Sequence, residues 1–134
     1  MKLIIAGSRD LFLTDEEISK AVAAFIMANA NPIFIPSEPP KPYLTEIVSG
    51  TARGIDQLGE AWAKKREIPI RLFPAAWAKL GKKAGPIRNR AMAEYADGAL
   101  VLWDGKSRGS LNMYETMREL GKPALCITYG EDHD

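Results

Sequence analysis

The chain has 134 residues, of which 46% are hydrophobic and 26% are charged, a composition typical of a single soluble globular domain. Its 18 Lys and Arg against 17 Asp and Glu leave a net charge of +1, which argues against a protein that holds nucleic acid by bulk charge. One cysteine, Cys126, excludes an internal disulfide, and one histidine, His133, leaves little material for a metal centre or a Ser–His pair. We therefore expect no metal and no cofactor. No apolar run approaches the ~20 residues of a membrane helix, so we expect a cytoplasmic protein without a membrane partner.

The first half of the chain starts with an apolar run at 2–6, which predicts a strand buried on both faces, as in a parallel sheet. Thr14 and Glu17 have the spacing of a capping box, and helical periodicity follows over 15–30. The proline-rich stretch 31–43 is predicted to be an inserted loop, with 33–35 as a candidate short strand. A further strand is predicted over 43–49, ending at a glycine.

The second half repeats this alternation of strands and helices. Helices are predicted at 55–66, 86–95 and 110–120, and strands at 69–73, 99–103 and 124–127. Ser110 is the predicted N-cap of the last helix, 75–85 is predicted to be a basic loop, and 130–134 a frayed tail. The pattern predicts one domain over 1–134, an α/β Rossmann-like three-layer α/β/α sandwich with a mostly parallel sheet of about five strands.

Four loops of similar character follow the predicted strands, and a parallel sheet brings such loops to one edge, where ligands bind. They are rich in Gly, Ser, Thr and Arg at helix starts, which favours a phosphorylated ligand. Taken singly, each arginine fits ordinary surface charge and each glycine fits a turn, so the shared edge carries the prediction. Asp56 is predicted to interact favourably with the dipole of its helix, and Trp62 is predicted to pack in the core or at an interface. Trp77 is predicted to anchor a loop, and Cys126 to be a small buried hydrophobic residue.

Three strings, Ser49–Asp56, Gly85–Arg90 and Gly105–Ser110, resemble the SLOG superfamily, and most closely its small YspA-type branch, related to YpsA. The first two are also similar to DNA-processing protein A, which binds single-stranded DNA. The third resembles the phosphate-binding turn of the LONELY GUY phosphoribohydrolases. The resemblance covers nearly the whole chain except the proline-rich insertion. It implies a Rossmann-like fold, a pocket for a nucleotide-like small molecule, and a homodimer or larger assembly.

Carried over by position, the resemblance implies ligand-binding roles for Gly7, Ser8, Arg9, Thr51, Arg53, Gly54, Arg88, Asn89, Gly105, Gly109 and Ser110. The position of the phosphoribohydrolase glutamate is Met113, which cannot stabilise an oxocarbenium ion or activate water. No catalytic residue is therefore assigned, and Asp10, Asp104 and Glu115 are alternative carboxylates. Binding of a nucleotide-derived ligand by a sensor, carrier or sequestering module is the leading hypothesis. N-glycosidic cleavage and single-stranded DNA binding are the alternatives.

Overall fold

The alternating segments fold into parallel strands joined by helices. A computed structural model describes residues 1–29 and 43–130. The strands are β1 (Lys2–Gly7), β2 (Glu46–Ser49), β3 (Ile70–Leu72), β4 (Gly98–Trp103) and β5 (Ala124–Thr128). The helices are α1 (Asp15–Asn29), α2 (Ile55–Lys65), α3 (Trp77–Leu80), α4 (Ala84–Tyr95) and α5 (Arg108–Glu119), with a 3₁₀ turn at Gly81–Lys83. Except for Tyr43 and Gly130, the predicted insertion at 31–43 with its candidate strand and the predicted tail at 130–134 lie outside the described residues.

The five strands form one parallel sheet in the order β3-β2-β1-β4-β5. In the central strand β1, Ile4 is in register with Val48 of β2 on one side and with Ala99 of β4 on the other. The chain thus extends the sheet from β1 in both directions, which creates a switch point between β1 and β4. The predicted Rossmann-like α/β fold is confirmed.

Alternate residues of β1 enter two cores on opposite faces of the sheet. Leu3 and Ile5 pack against α1 and α2, whereas Ile4 packs against α4 and α5. All three are fully buried, and each such side chain stabilises the fold by about 2 kcal/mol. Trp62 lies in the first core, as predicted, and its indole N–H donates to Ser19 Oγ at 2.9 Å. The sheet is therefore covered on both faces, and its carboxyl edge is left for the loops.

Helix starts agree with the sequence at α1 and differ at α5. The capping box is confirmed, since the Thr14 N–H donates to Glu17 Oε1 at 3.0 Å and the Glu17 N–H donates to Thr14 Oγ1 at 3.1 Å. At α5 the N-cap is Ser107 and not Ser110, because Ser107 Oγ accepts the Ser110 N–H at 3.4 Å. The Asp104 carboxylate accepts the Ser107 N–H at 2.9 Å and fixes the preceding turn. The helix consequently starts two residues before its predicted start.

The sequence predicts a loop over 75–85, and this prediction is wrong. The segment forms α3 and the 3₁₀ turn, and α4 starts at Ala84 rather than Pro86. Gly81, with φ of +56°, ends α3 and is the first residue of the 3₁₀ turn, in a conformation that few other residues adopt. The predicted strand at 43–49 is shorter than expected, since β2 starts at Glu46. The segment before it still lies beside the start of the chain, because the Met1 amino group donates to the Tyr43 carbonyl at 2.7 Å and the Thr45 N–H donates to the Met1 carbonyl at 2.9 Å.

Cys126 of β5 is half-buried rather than buried, which corrects its predicted environment. It packs against the core between the sheet and helices α4 and α5. Desolvation raises the pKa of its thiol, so the reactive thiolate is disfavoured. Its place in the fold is that of a small packing residue.

Lys122 joins the end of α4 to the turn before β5. Its ammonium group donates to the carbonyl oxygens of Ala93, Glu94 and Ala96 at 2.8, 3.0 and 2.8 Å. The last carbonyls of a helix lack partners within it, so this lysine caps α4.

We expect Lys122→Met to lower the free energy of unfolding by about 2 kcal/mol, because hydrogen bonds from a charged donor contribute roughly 1.5–3 kcal/mol. Urea denaturation measures the loss. The matched control is Lys64→Met, which removes an exposed lysine of α2. Equal losses in the two variants would show that Lys122 does not cap the helix.

Candidate functional site

A cleft lies at the carboxyl edge of the sheet, where β1, β2 and β4 end. It consists of three adjoining cavities that all contact Arg9 and Arg88. We call them the Arg53 lobe, of about 290 Å³, the Arg108 lobe, of about 590 Å³, and the inner cavity, of about 60 Å³. The cleft therefore coincides with the switch point at which α/β sheets bind ligands.

Gly50, directly after β2, lets two charged side chains approach the backbone. A Cβ at this position would lie 2.7 Å from Arg88 Nη1 and 2.8 Å from Asp56 Oδ2. No side chain fits between them, so glycine is required here by close approach. Arg88 and Asp56 thus face each other across the Gly50 backbone.

Arg88 of α4 is held firmly at the centre of the cleft. Its Nη1 donates to the Gly50 carbonyl, and its Nε donates to Asn89 Oδ1 at 2.9 Å. Asn89 in turn donates to Asn112 Oδ1 at 2.9 Å and to the Gly109 carbonyl at 3.2 Å. Among the described residues, Arg88 Nη2 has no acceptor. The guanidinium is oriented on one side and keeps donors for a ligand on the other.

Burial lowers the pKa of Arg88, against the opposing effect of the Asp56 carboxylate, and the Arg9 cation lowers it further. Within 1–29 and 43–130, neither Arg9 nor Arg88 lies within 4.0 Å of a carboxylate oxygen. Arg53 differs, since it contacts Asp10 at 2.9 Å in an exposed pair. Arg9 and Arg88 thus make no direct ion pair within these residues, although the Asp56 carboxylate partly offsets the charge of Arg88. Their guanidinium groups remain suited to attracting anions into the cleft.

Asp56 of α2 is the carboxylate of the inner cavity, and it is only 5% exposed. Burial raises the pKa of Asp56 to about 6, although the Ala52 N–H, which donates to it at 3.1 Å, and the Arg88 guanidinium both oppose this rise. The sequence predicts only a dipole role for Asp56, whereas the structure places its carboxylate on the cleft. The sequence feature that could have indicated this position is the place of Asp56 in the first turn of α2, directly after a cleft loop.

The three carboxylates considered as catalytic alternatives lie elsewhere. Asp10 is exposed and pairs with Arg53. Asp104 accepts the backbone N–H groups of Lys106 and Ser107, which lower its pKa and make it a structural acceptor. Glu115 is exposed and lines none of the three cavities. Met113, at the position of the phosphoribohydrolase glutamate, is buried and lines the inner cavity.

Thr51 has a left-handed backbone, with φ of 68°. This conformation is a genuine outlier for a β-branched residue and costs on the order of 1–3 kcal/mol. It persists because the Thr51 N–H donates to Ser49 Oγ at 3.1 Å, and Ser49 Oγ donates to Glu60 Oε2 at 2.6 Å. The strained residue lines the Arg53 lobe.

Trp77 of α3 lies across the cleft from the loop after β1. The Arg9 guanidinium carbon is 5.6 Å from the centroid of its ring, within the range of a cation–π contact. The indole packs over Gly85, where an added Cβ would lie 3.2 Å from it, yet 47% of the residue stays exposed. Trp77 lines both the Arg53 lobe and the Arg108 lobe.

Most residues named from the sequence meet at this cleft. Those that line it are Gly7, Arg9, Thr51, Arg53, Arg88, Asn89, Gly109 and Ser110.

Three named residues support the loops instead. Ser8 is fully buried and its Oγ accepts the Asp104 N–H at 2.9 Å, which ties two cleft loops together. Gly54, with φ of +77°, passes so close to the loop after β1 that an added Cβ would lie 2.4 Å from the Arg9 carbonyl oxygen. Gly105, with φ of +84°, makes the turn before α5.

The described part of the chain holds no group of three or more His, Cys, Asp or Glu side chains suited to a metal ion. Over the same residues, no helix combines the length and apolar character that a membrane crossing needs. The groups that the cleft offers to a ligand include arginines, Lys82, backbone N–H groups, one tryptophan and one buried carboxylate.

No protein-family model matches the sequence. The Gene 61 protein of Mycobacterium phage D29 is 33% identical over 90 residues, which are 63% of this chain and 72% of that protein. Among solved structures, DNA processing protein A (DprA) from Streptococcus pneumoniae matches with a TM-score of 0.67 and 21% identity over 98% of this chain. The match covers 52% of the DprA chain, so our chain spans about half of that structure. This likeness establishes a DprA-like fold.

Proposed function

The chain belongs to the family of the Gene 61 protein of Mycobacterium phage D29, and we propose that it binds a nucleotide-derived ligand whose phosphate lies in the cleft. One observation carries this proposal. Arg88 is oriented by Gly50 and Asn89 yet keeps a free donor group, and it lies beside the first turn of α5. An oriented arginine next to a helix N-terminus is an arrangement that binds phosphate well.

The roles carried over from the SLOG resemblance fit this proposal. Gly109 would donate its backbone N–H group, and Ser110, whose own N–H group donates to Ser107 Oγ, would line the cavity beside it. Arg9 and Arg88 would contribute charge, and Trp77, which is 47% exposed, would offer aromatic surface to a base. We assign the chain to the small YspA-type branch as a cytoplasmic sensor, carrier or sequestering module. The same resemblance suggests a homodimer or larger assembly.

Cleavage of an N-glycosidic bond is the second candidate, and the burial of Asp56 favours it. A carboxylate with a pKa of about 6 on the inner cavity is suited to proton transfer near neutral pH. One Asp56 oxygen already accepts the Ala52 N–H, and the inner cavity is only about 60 Å³, so Asp56 is better suited to supporting the loop than to acting on a substrate. Binding without cleavage therefore stands first.

Gly109→Ala separates stability from binding. An added Cβ meets no atom within 4 Å, and Gly109 lies in the first turn of α5, so alanine should raise the free energy of unfolding by roughly 0.5–1 kcal/mol. The same methyl group stands where phosphate would approach the backbone. We expect AMP binding, measured by calorimetry, to weaken about tenfold, or about 1.4 kcal/mol.

Stability and binding are measured on the same preparation, so the gain in stability is the control for correct folding. AMP should be recovered intact after incubation. Release of adenine by the unmodified protein, but not by Asp56→Asn, would replace the binding proposal with N-glycosidic cleavage. Equal AMP affinity of the parent protein and the Gly109→Ala variant would show that the phosphate does not bind at the start of α5.

A further inference from the structure

The cleft is divided into two lobes by a bridge of three side chains. Arg9, Trp77 and Arg88 line both the Arg53 lobe and the Arg108 lobe. The Arg9 guanidinium carbon, from the loop after β1, lies 5.6 Å from the ring centroid of Trp77 of α3, and Arg88 of α4 donates to the Gly50 carbonyl. The cleft therefore offers two separate volumes around one shared centre.

Each lobe has cations of its own in addition to the shared arginines. Arg53 lines the smaller lobe, whereas Lys82 and Arg108 line the larger one. Arg53 pairs with Asp10, but both side chains are largely exposed, and such pairs contribute little and exchange readily. Among the residues that line the two lobes, none is an Asp or a Glu. Both lobes are thus suited to an anionic group.

A ligand with one phosphate leaves one of these cationic lobes without a partner. On the basis of the proposed function, we propose that the ligand is a small nucleotide with two separated phosphate groups, one in each lobe. The first phosphate lies in the Arg108 lobe against the start of α5. The second lies in the Arg53 lobe, beside the Thr51–Arg53 backbone.

The bridge explains how one ligand spans both lobes. Trp77, which is 47% exposed, offers aromatic surface to the uncharged nucleoside, whose ribose joins the two phosphates. Arg88, with Nη2 free among the described residues, is within the lining of both lobes. The left-handed backbone at Thr51 shapes the smaller lobe.

The test compares AMP with adenosine 3′,5′-bisphosphate, which carries phosphates at both ends of one nucleoside. We expect the bisphosphate to bind the parent protein at least tenfold more tightly than AMP in calorimetry. Arg53→Ala should bring the Kd of the bisphosphate to within about twofold of the Kd of AMP. Arg108→Ala should weaken both ligands by similar factors, because it lines the lobe of the shared phosphate.

Arg90→Ala is the matched control, since Arg90 lies on α4 outside the cleft and pairs with Glu94 at 3.0 Å. Equal affinity of the parent protein for AMP and the bisphosphate would overturn the two-phosphate inference and leave the proposed function standing. Failure of both ligands to bind would overturn the proposed function itself. Tighter binding of a ten-residue oligothymidylate than of the bisphosphate would replace the small ligand with single-stranded DNA.

Discussion

Arg88→Lys is expected to weaken AMP binding about 10- to 100-fold. Lysine keeps the positive charge but cannot donate to Gly50 and Asn89 and still offer a planar pair of donors to phosphate. A charge-assisted hydrogen bond to phosphate contributes roughly 1.5–3 kcal/mol, which corresponds to this range of affinity. Calorimetry with AMP measures the effect.

The control is Arg90→Lys, two residues further along the same helix. Arg90 is exposed and pairs with Glu94 through Nε at 3.0 Å, so its replacement should leave the Kd unchanged. Alanine is a poorer probe at position 88, because it also leaves the Gly50 carbonyl without its donor and Asp56 without its facing cation. Equal AMP affinities of the Arg88 and Arg90 variants would show that the phosphate does not bind at the centre of the cleft.

Stability should fall as pH rises from about 4 to about 6, because of Asp56. Burial raises the pKa of this carboxyl from 3.8 to about 6, so the folded state binds the proton more tightly than the unfolded state does. Such a group stabilises the folded state fully at pH values below its pKa in the unfolded chain. This stabilisation is lost as pH rises through its pKa in the folded protein. The full loss, from well below the unfolded pKa to well above the folded pKa, is about 3 kcal/mol, of which about 2 kcal/mol falls between pH 4 and pH 6.

Asp56→Asn removes the titrating group and keeps an oxygen for the Ala52 N–H. The difference in unfolding free energy between parent and variant, measured by urea denaturation at several pH values, should therefore change by about 2 kcal/mol between pH 4 and pH 6. Asp15 and Asp104 act in the opposite direction, since their pKa values are lowered and their stabilising contribution is lost below pH 4. A difference that does not vary with pH would show that Asp56 is not buried in solution.

The sheet and its edge were predictable because they depend on patterns that the sequence displays directly. Short apolar runs between amphipathic segments gave five parallel strands, and the loops after β1, β2 and β4 then had to lie at one edge. Eight of the eleven named residues line the cleft there. Ser8, Gly54 and Gly105 do not, because buried hydrogen bonding and close backbone approach, which the sequence does not display, decide their positions.

Asp56 and Trp77 show what could not be predicted. The burial of Asp56 depends on Gly50 and on Arg88, which is brought in from a helix 32 residues further along the chain. The sequence predicts Trp77 in a basic loop over 75–85, whereas Gly81, with a positive φ, allows two short helical segments in succession. Side-chain environments of this kind arise from tertiary packing rather than from local preference.

The left-handed backbone of Thr51 affects which variants a selection for heat resistance would recover. Glycine or asparagine would relieve this torsion, so a randomly mutated library selected for survival at high temperature should enrich them at that position. The same exchange loosens the segment between Ser49 and Ala52, whose geometry defines one wall of the Arg53 lobe. Variants recovered from such a selection would gain thermal stability and lose the fixed geometry of that wall.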